Sequence, residues 1–264
     1  MKTALRWILR LSVMVLAVVL LAQFTLLIAN FRTRSRAELL LTSLRKLEVG
    51  KSTFDDVQPI LVAYKTDKIP PGSDCPLGTT YGISVSNNTI DALGTNYPLL
   101  LRAGVRPVSA VAALSFESGR LCEFRYGSSA LLPAKRYPFR DSRSMASQLT
   151  ELSALTTVRA VKGSENYDIS GFETILRGVR EGGIYFGLRV VVTPDATPSE
   201  LQHALAFDLS CFTSLRGCQT LCELMPQAVQ DAIPKYRARG LPIPEVLRKE
   251  SEYPACSNVV AANR

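Results

Sequence analysis

The chain contains a single histidine and a single tryptophan, and no C-x-x-C pair anywhere in its 264 residues. Any histidine-based triad must therefore use His203, and no serine or cysteine sits in a recognisable nucleophile elbow. Asp195 and Asp208 are its acidic sequence neighbours, but on the helix expected there His203 lies off the apolar stripe and faces solvent. The missing C-x-x-C removes the usual thiol-oxidoreductase reading. Charge is missing too, over one long stretch. From Leu11 to Ala29, 19 residues carry none, and only Ser12, Gln23 and Thr25 break the apolar run.

That stretch spans roughly 28 Å as a helix, about the hydrocarbon thickness of a bilayer. Neither Pro nor Gly interrupts it, and Trp7 and Phe31 flank it where interfacial aromatics are favoured. A cleaved signal peptide is the rival reading, yet Leu20-Leu21-Ala22 and Leu27-Ile28-Ala29 carry a bulky residue where a small one is needed. No cysteine closes the run, which excludes a lipoprotein anchor. The expectation is a retained single-pass anchor, with the membrane contacted through residues 11–29.

The pI of about 9.3 suggests nucleic acid at first sight. Its source argues otherwise. Lys2, Arg6, Arg10, Arg32, Arg34 and Arg36 supply six of the eight net positive charges and flank the apolar run. A nucleic-acid binder needs that field on the folded surface facing phosphate. The basic residues also lie on both sides of the span, so the positive-inside rule gives close to a tie. Cysteine usage breaks it. Cys75, Cys122, Cys211, Cys218, Cys222 and Cys256 all follow the anchor, an even number suited to disulfides in an oxidising compartment. The domain is accordingly expected outside the cytoplasm. Cys211, Cys218, Cys222 and His203 could hold zinc, but their spacing matches no common zinc knuckle, and no residue pattern demands a metal or cofactor.

Beyond the anchor, Ser35–Leu47 reads as an amphipathic helix with Leu39, Leu40, Leu44 and Leu47 on its apolar face. Gly50-Lys51-Ser52-Thr53 looks like the end of a phosphate-binding loop, but Arg45 stands where the motif needs glycine, and a helix precedes it. A helix stop followed by an N-cap at Ser52 explains the same residues. Asp55 and Asp56 then sit in a first helical turn, where acids complement the dipole. This second helix is expected over Thr53–Tyr64, interrupted or kinked at Pro59. Thr79–Ser86 reads as a strand with Asn87-Asn88 as its turn; Asn87-Asn88-Thr89 is also a glycosylation sequon. A hairpin follows, Val108–Phe116 and Arg120–Tyr126 about a Glu117-Ser118-Gly119 turn.

In the second half, Leu155–Val161 reads as a strand, and Phe172–Val179 with Ile184–Val192 as a hairpin about paired glycines. Thr197-Pro198-Ser199-Glu200 is the clearest helix start, with Leu201, Ala204, Leu205, Leu209 and Phe212 as its buried stripe. The resulting expectation is α+β: an N-terminal transmembrane helix, then helices packed on antiparallel hairpins. Residues 1–34 form the anchor with basic flanks, 35–126 a helix-helix-hairpin region, 127–147 a linker or long loop, and 148–264 a second α+β region.

Leu44, Leu47, Gly50, Ser52, Asp56 and Val57 follow a spacing that resembles the helix-turn-helix opening of OmlA-like bacterial envelope lipoproteins. The likeness covers residues 44–57. It implies two helices on an antiparallel sheet and a binding or assembly role in a bacterial envelope, and it carries no functional residue over. The expected function is a non-enzymatic extracytoplasmic module that binds an envelope protein or a surface polymer. The alternative is an envelope hydrolase with carboxylate-based chemistry that sequence spacing does not reveal.

Overall fold

The computed structural model describes residues 2–70, 75, 77–97, 100–101, 105–133, 156–160, 169–170, 183–192, 201–202, 205–214, 217–218, 221–224 and 237. Its helices are α1 (Lys2–Leu44), α2 (Phe54–Ala63), α3 (Asn88–Asn96) and the single turn α4 (Leu221–Leu224). Its strands are β1 (Thr66–Ile69), β2 (Thr79–Ser86), β3 (Val108–Glu117), β4 (Arg120–Pro133), β5 (Thr156–Ala160), β6 (Ile169–Ser170) and β7 (Gly183–Val192). The class is α+β.

Helix α1 is 43 residues long without a break, roughly 64 Å at the standard rise. Its two halves meet different surroundings. From Leu9 to Leu21 the large apolar side chains stand exposed, and they belong to the stretch Leu9–Leu44 that is long and apolar enough to be a candidate membrane span. From Asn30 onward one face is covered: Asn30, Thr33, Ala37, Leu40, Leu41 and Leu44 are buried against the sheet. These positions repeat every three or four residues, the spacing of one helix face. Leu39, expected on that face, is 61% exposed, and Leu41 takes its place. A shift of two residues turns a side chain about 200° around the axis, so the stripe reads correctly only when its phase is fixed by the neighbours it packs on.

The α1–α2 turn closes by local chemistry. Gly50 adopts a positive φ of 83°. The Ser52 hydroxyl accepts from the Glu48 N–H at 2.9 Å, so it belongs to this turn and does not cap α2. Thr53 is the N-cap, and the Asp56 carboxylate accepts from its backbone N–H at 2.7 Å and its hydroxyl at 2.9 Å. The cap thus sits one residue beyond the expected Ser52. Helix α2 continues through Pro59 and buries Val57, Ile60 and Leu61. Phe54 docks its first turn on the sheet, 5.7 Å from Tyr81 and 5.5 Å from Phe116 between ring centroids.

The strands form one sheet in the order β1-β2-β3-β4-β7-β5-β6. The pairs from β1 to β7 are antiparallel, while β5 lies parallel to both β7 and β6. The β3–β4 hairpin turns at Ser118 and Gly119, both with positive φ (52° and 78°), the backbone that matches strand twist in tight hairpins. Strand β4 runs on to Pro133, so the front of the stretch expected as linker is strand paired with β7. Strands from the first and second halves of the chain therefore share one sheet.

Two further elements differ from expectation. Asn87 is not the turn of a hairpin: its side-chain oxygen accepts from the Thr89 and Ile90 N–H groups, each at 3.1 Å, and caps α3. The long helix expected through Phe212 does not form. Among the described residues of that stretch, Leu201 and Gln202 are α-helical and Ser210–Thr213 form a 3-10 turn, while between them Leu205, Phe207 and Leu209 are buried and Ala206 and Asp208 exposed. Asp208 accounts for the break. Its carboxylate accepts from the Ser210 N–H at 2.8 Å and its own N–H donates to the Leu224 carbonyl at 2.8 Å, bonds that compete with a helical ladder. The proposed start at 197–200 and the strand at 172–179 lie outside the described residues.

Candidate functional site

The helices cover one face of the sheet, burying Ile83, Val85, Ala112, Leu114, Phe124 and Tyr126. The opposite face is set by the alternate residues, because successive side chains of a strand point to opposite sides. Register places Asp67 opposite Gly82, Gly82 opposite Ala113, and Ala113 opposite Arg125. One row across four strands therefore carries an acid at one end, a base at the other, and two of the smallest residues between. At the usual strand spacing its ends are about 14 Å apart.

This row floors an open groove of about 310 Å³, walled by Ile69 and Val111 and extended by Ser84 and Gly127. A Cβ at Gly82 would stand 3.2 Å from the Ile69 side chain, a tight contact that Ile69 would relieve by moving a few tenths of an ångström. Hydroxyl pairs bracket the groove, Thr80 with Ser115 and Ser109 with Ser129, each at 2.8 Å. The Arg125 guanidinium donates to Glu123. Glu123 is fully buried, and its second carboxylate oxygen has no hydrogen-bond partner.

Beside the groove runs β1, the edge of the sheet. It is four residues long and mostly exposed, with Pro70 and Pro71 directly after it. Short length, charge and following prolines all blunt an edge against uncontrolled pairing. Among the described residues no strand lies against its outer backbone groups, which are next to Asp67 and Ile69 of the groove wall.

The cysteines read as disulfide candidates fall into three groups. Cys75 joins Cys122, and Cys211 joins Cys218. Cys122 occupies a bulge: Ser115 faces Glu123 and Phe116 faces Leu121, so Cys122 has no opposite residue. The bulge frees Cys122 from the ladder to meet Cys75, which fastens the turn before β2 to the central hairpin. Glu117 is close to both sulfurs, but sulfurs joined to each other are not thiolate ligands. The same holds for Cys211 and Cys218 in the zinc arrangement. The Cys222 side chain, Cys256 and His203 lie outside the described residues, as does Asp195.

The remaining sequence candidates are absorbed by local structure. The Lys51 ammonium pairs with Glu48 at 2.6 Å, Ser52 closes the turn, and Asp56 caps α2. Hydrogen bonds from the Thr53 backbone and hydroxyl hold the Asp56 carboxyl below the usual range. Burial pushes Asp91, on α3, above it. These two acids sit on different elements.

Fold and surface define an α+β domain carried on a continuous helix that contains a candidate membrane span. No family model, curated protein or solved structure matches the chain.

Proposed function

We propose that this protein is a membrane-anchored, extracytoplasmic binding or assembly module of a cell envelope, and that it takes an extended segment of a partner protein along β1. The observation that carries the reading is the open β1 edge beside a groove with Asp67 and Arg125 at its two ends. An added strand gains backbone hydrogen bonds from the edge, and alternate side chains find pockets on the sheet face. The groove's small floor leaves room for those side chains.

Two features support the membrane placement. The helix runs unbroken through both small-residue positions at Ala22 and Ala29, and its second half belongs to the domain core. Two disulfides suit an oxidising compartment. The resemblance of residues 44–57 to OmlA-like modules points the same way and stays part of the proposal.

The test uses photo-reactive residues at Lys68 and Val111 in intact cells, with exposed Val62 on α2 as the reference. The reading expects one dominant protein adduct at the first two positions, lost when Ala113→Trp fills the groove. Adducts no stronger than at position 62, or unaffected by A113W, would count against it. Saccharide in place of protein in the adduct would move the assignment to a surface polymer.

A further inference from the structure

We infer that Cys75, Cys122 and Glu117 make a redox-gated metal site: once the Cys75–Cys122 bridge is reduced, the two thiolates and the carboxylate take a zinc ion. Bridge and metal need the same two sulfurs, so each excludes the other.

Three segments bring the residues together. Cys75 lies in the turn before β2, Glu117 ends β3, and Cys122 stands in the bulge of β4. The two sulfurs and a carboxylate oxygen of Glu117 all lie within 4.8 Å of one another, with Cys75 buried and the other two residues half-buried. Tetrahedral zinc holds thiolate sulfur at about 2.3 Å and carboxylate oxygen at about 2.0–2.2 Å, which sets its ligand atoms about 3.5 Å apart. The sulfurs must part to reach that spacing. Their Cα atoms are 6.3 Å apart, so rotation about the Cα–Cβ bonds is enough. Three protein ligands leave the fourth position to water.

Scission of the bridge loosens this corner, but backbone contacts keep its residues within reach of one cation. The Cys75 carbonyl accepts from the Gly78 N–H at 3.0 Å. Gly78 lies so close to β3 that a Cβ on it would stand 2.5 Å from the Phe116 carbonyl oxygen. Thr79 then pairs with Phe116, the residue before Glu117. On the other side of the bulge, Leu121 is held between the Gly50 N–H at 2.7 Å and the Ser52 carbonyl at 2.8 Å.

Charge supplies the driving force. Among the described residues, no hydrogen bond or ion pair engages the Glu117 carboxylate. While the bridge is closed its sulfurs are neutral. Reduction adds two thiolates beside the carboxylate, and three like charges at this range favour either protonation or a bound cation. Thiolate ligands select zinc over magnesium or calcium. The step balances with a dithiol as reductant. The dithiol gives two electrons to the Cys75–Cys122 bond and closes its own disulfide. Its two protons pass to the cysteine sulfurs, and zinc displaces them on binding.

The test titrates cobalt(II), then competing zinc, into the full chain in detergent micelles. Cys211, Cys218, Cys222 and Cys256 are replaced by serine, so that two thiols remain. The protein is treated with excess dithiol and desalted under argon. No cobalt is expected to bind before reduction. After it, one cobalt per chain should bind, with thiolate-to-cobalt charge-transfer absorption and the visible bands of tetrahedral coordination. Glu117→Gln should weaken binding at least about tenfold, the lower end of what even the outer partners of metal ligands cost. Glu117→Cys should restore it, with a charge-transfer band enlarged by a third Co–S bond. Failure of the reduced chain to take up cobalt, or equal affinity with and without E117Q, overturns the inference. Circular dichroism checks the folding of each variant. If the four serines prevent it, the otherwise unchanged chain is compared with E117Q after reduction, and equal cobalt uptake by the two overturns the inference in the same way.

Discussion

Replacing Cys75 and Cys122 with alanine severs a link between positions 47 residues apart, whereas Cys211 and Cys218 are separated by 7. In the chain-entropy treatment the stabilisation grows with the logarithm of the closed loop, giving about 4 kcal/mol for the first bridge and about 2.5 kcal/mol for the second. Loss of the longer bridge frees both the turn before β2 and the bulge in β4, so no new native contact offsets it. At about 3 °C per kcal/mol for a domain of this size, C75A/C122A lowers the melting temperature by about 12 °C and C211A/C218A by about 7 °C. Circular dichroism of vesicle-reconstituted protein on heating measures both, with and without reductant. Reductant should depress the wild type by at least the larger amount and leave C75A/C122A with only the smaller further loss. Equal losses for the two double variants, or a larger loss for the short bridge, would refute the argument that loop length sets the order.

Leu40→Ala removes a fully buried side chain of α1 and is expected to cost about 3 kcal/mol, while Leu39→Ala stays within about 0.5 kcal/mol; paired thermal melts read the difference. Tyr126→Phe removes a buried hydroxyl that has no hydrogen-bond partner, so it should leave stability unchanged or raise it by about 1 kcal/mol; a clear loss in the same melts would mean the hydroxyl is satisfied. The two shifted aspartates have opposite pH signatures. Asp56, whose folded pKa is lowered, stabilises above the ordinary Asp range and loses that contribution as pH falls through its folded value. Asp91, whose folded pKa is raised by burial, stabilises least once pH has risen past that value. Asp56→Asn should therefore lower stability at neutral pH and Asp91→Asn raise it; melts across the acid range, showing the same sign for both, would contradict the assignment.

What the sequence revealed followed from how strong each local signal was. The apolar run of α1 and the β3–β4 hairpin are long, strongly patterned segments, and both stand where expected. Helix α3 was missed because Asn87-Asn88 suits a turn as well as a cap; the same side-chain oxygen serves either, and only the following residues decide. The segment Leu205–Leu209 carries two periods at once. Leu201, Leu205 and Leu209 fit a helix, while Leu205, Phe207 and Leu209 fit an extended chain, and the Asp208 hydrogen bonds settle the matter for the second. Strand β1, Thr-Asp-Lys-Ile, has a β-branched residue at each end about a charged pair, too short for a strand period to show, and exists because β2 offers it an edge. The groove was illegible for a related reason. Its floor is one residue from each of several strands, and Gly82 and Ala113 become neighbours only through register.

With α1 as the proposed membrane anchor, its unbroken course makes it a rigid post and not a leash. No loop between Ala29 and Asn30 absorbs rotation, so the domain keeps one azimuth about the helix and one height above the lipid. Inserting a single alanine there would swing the whole body about 100° and raise it about 1.5 Å. A neighbour lying in the same membrane would then find the groove turned away from it, although every residue of the groove remained intact.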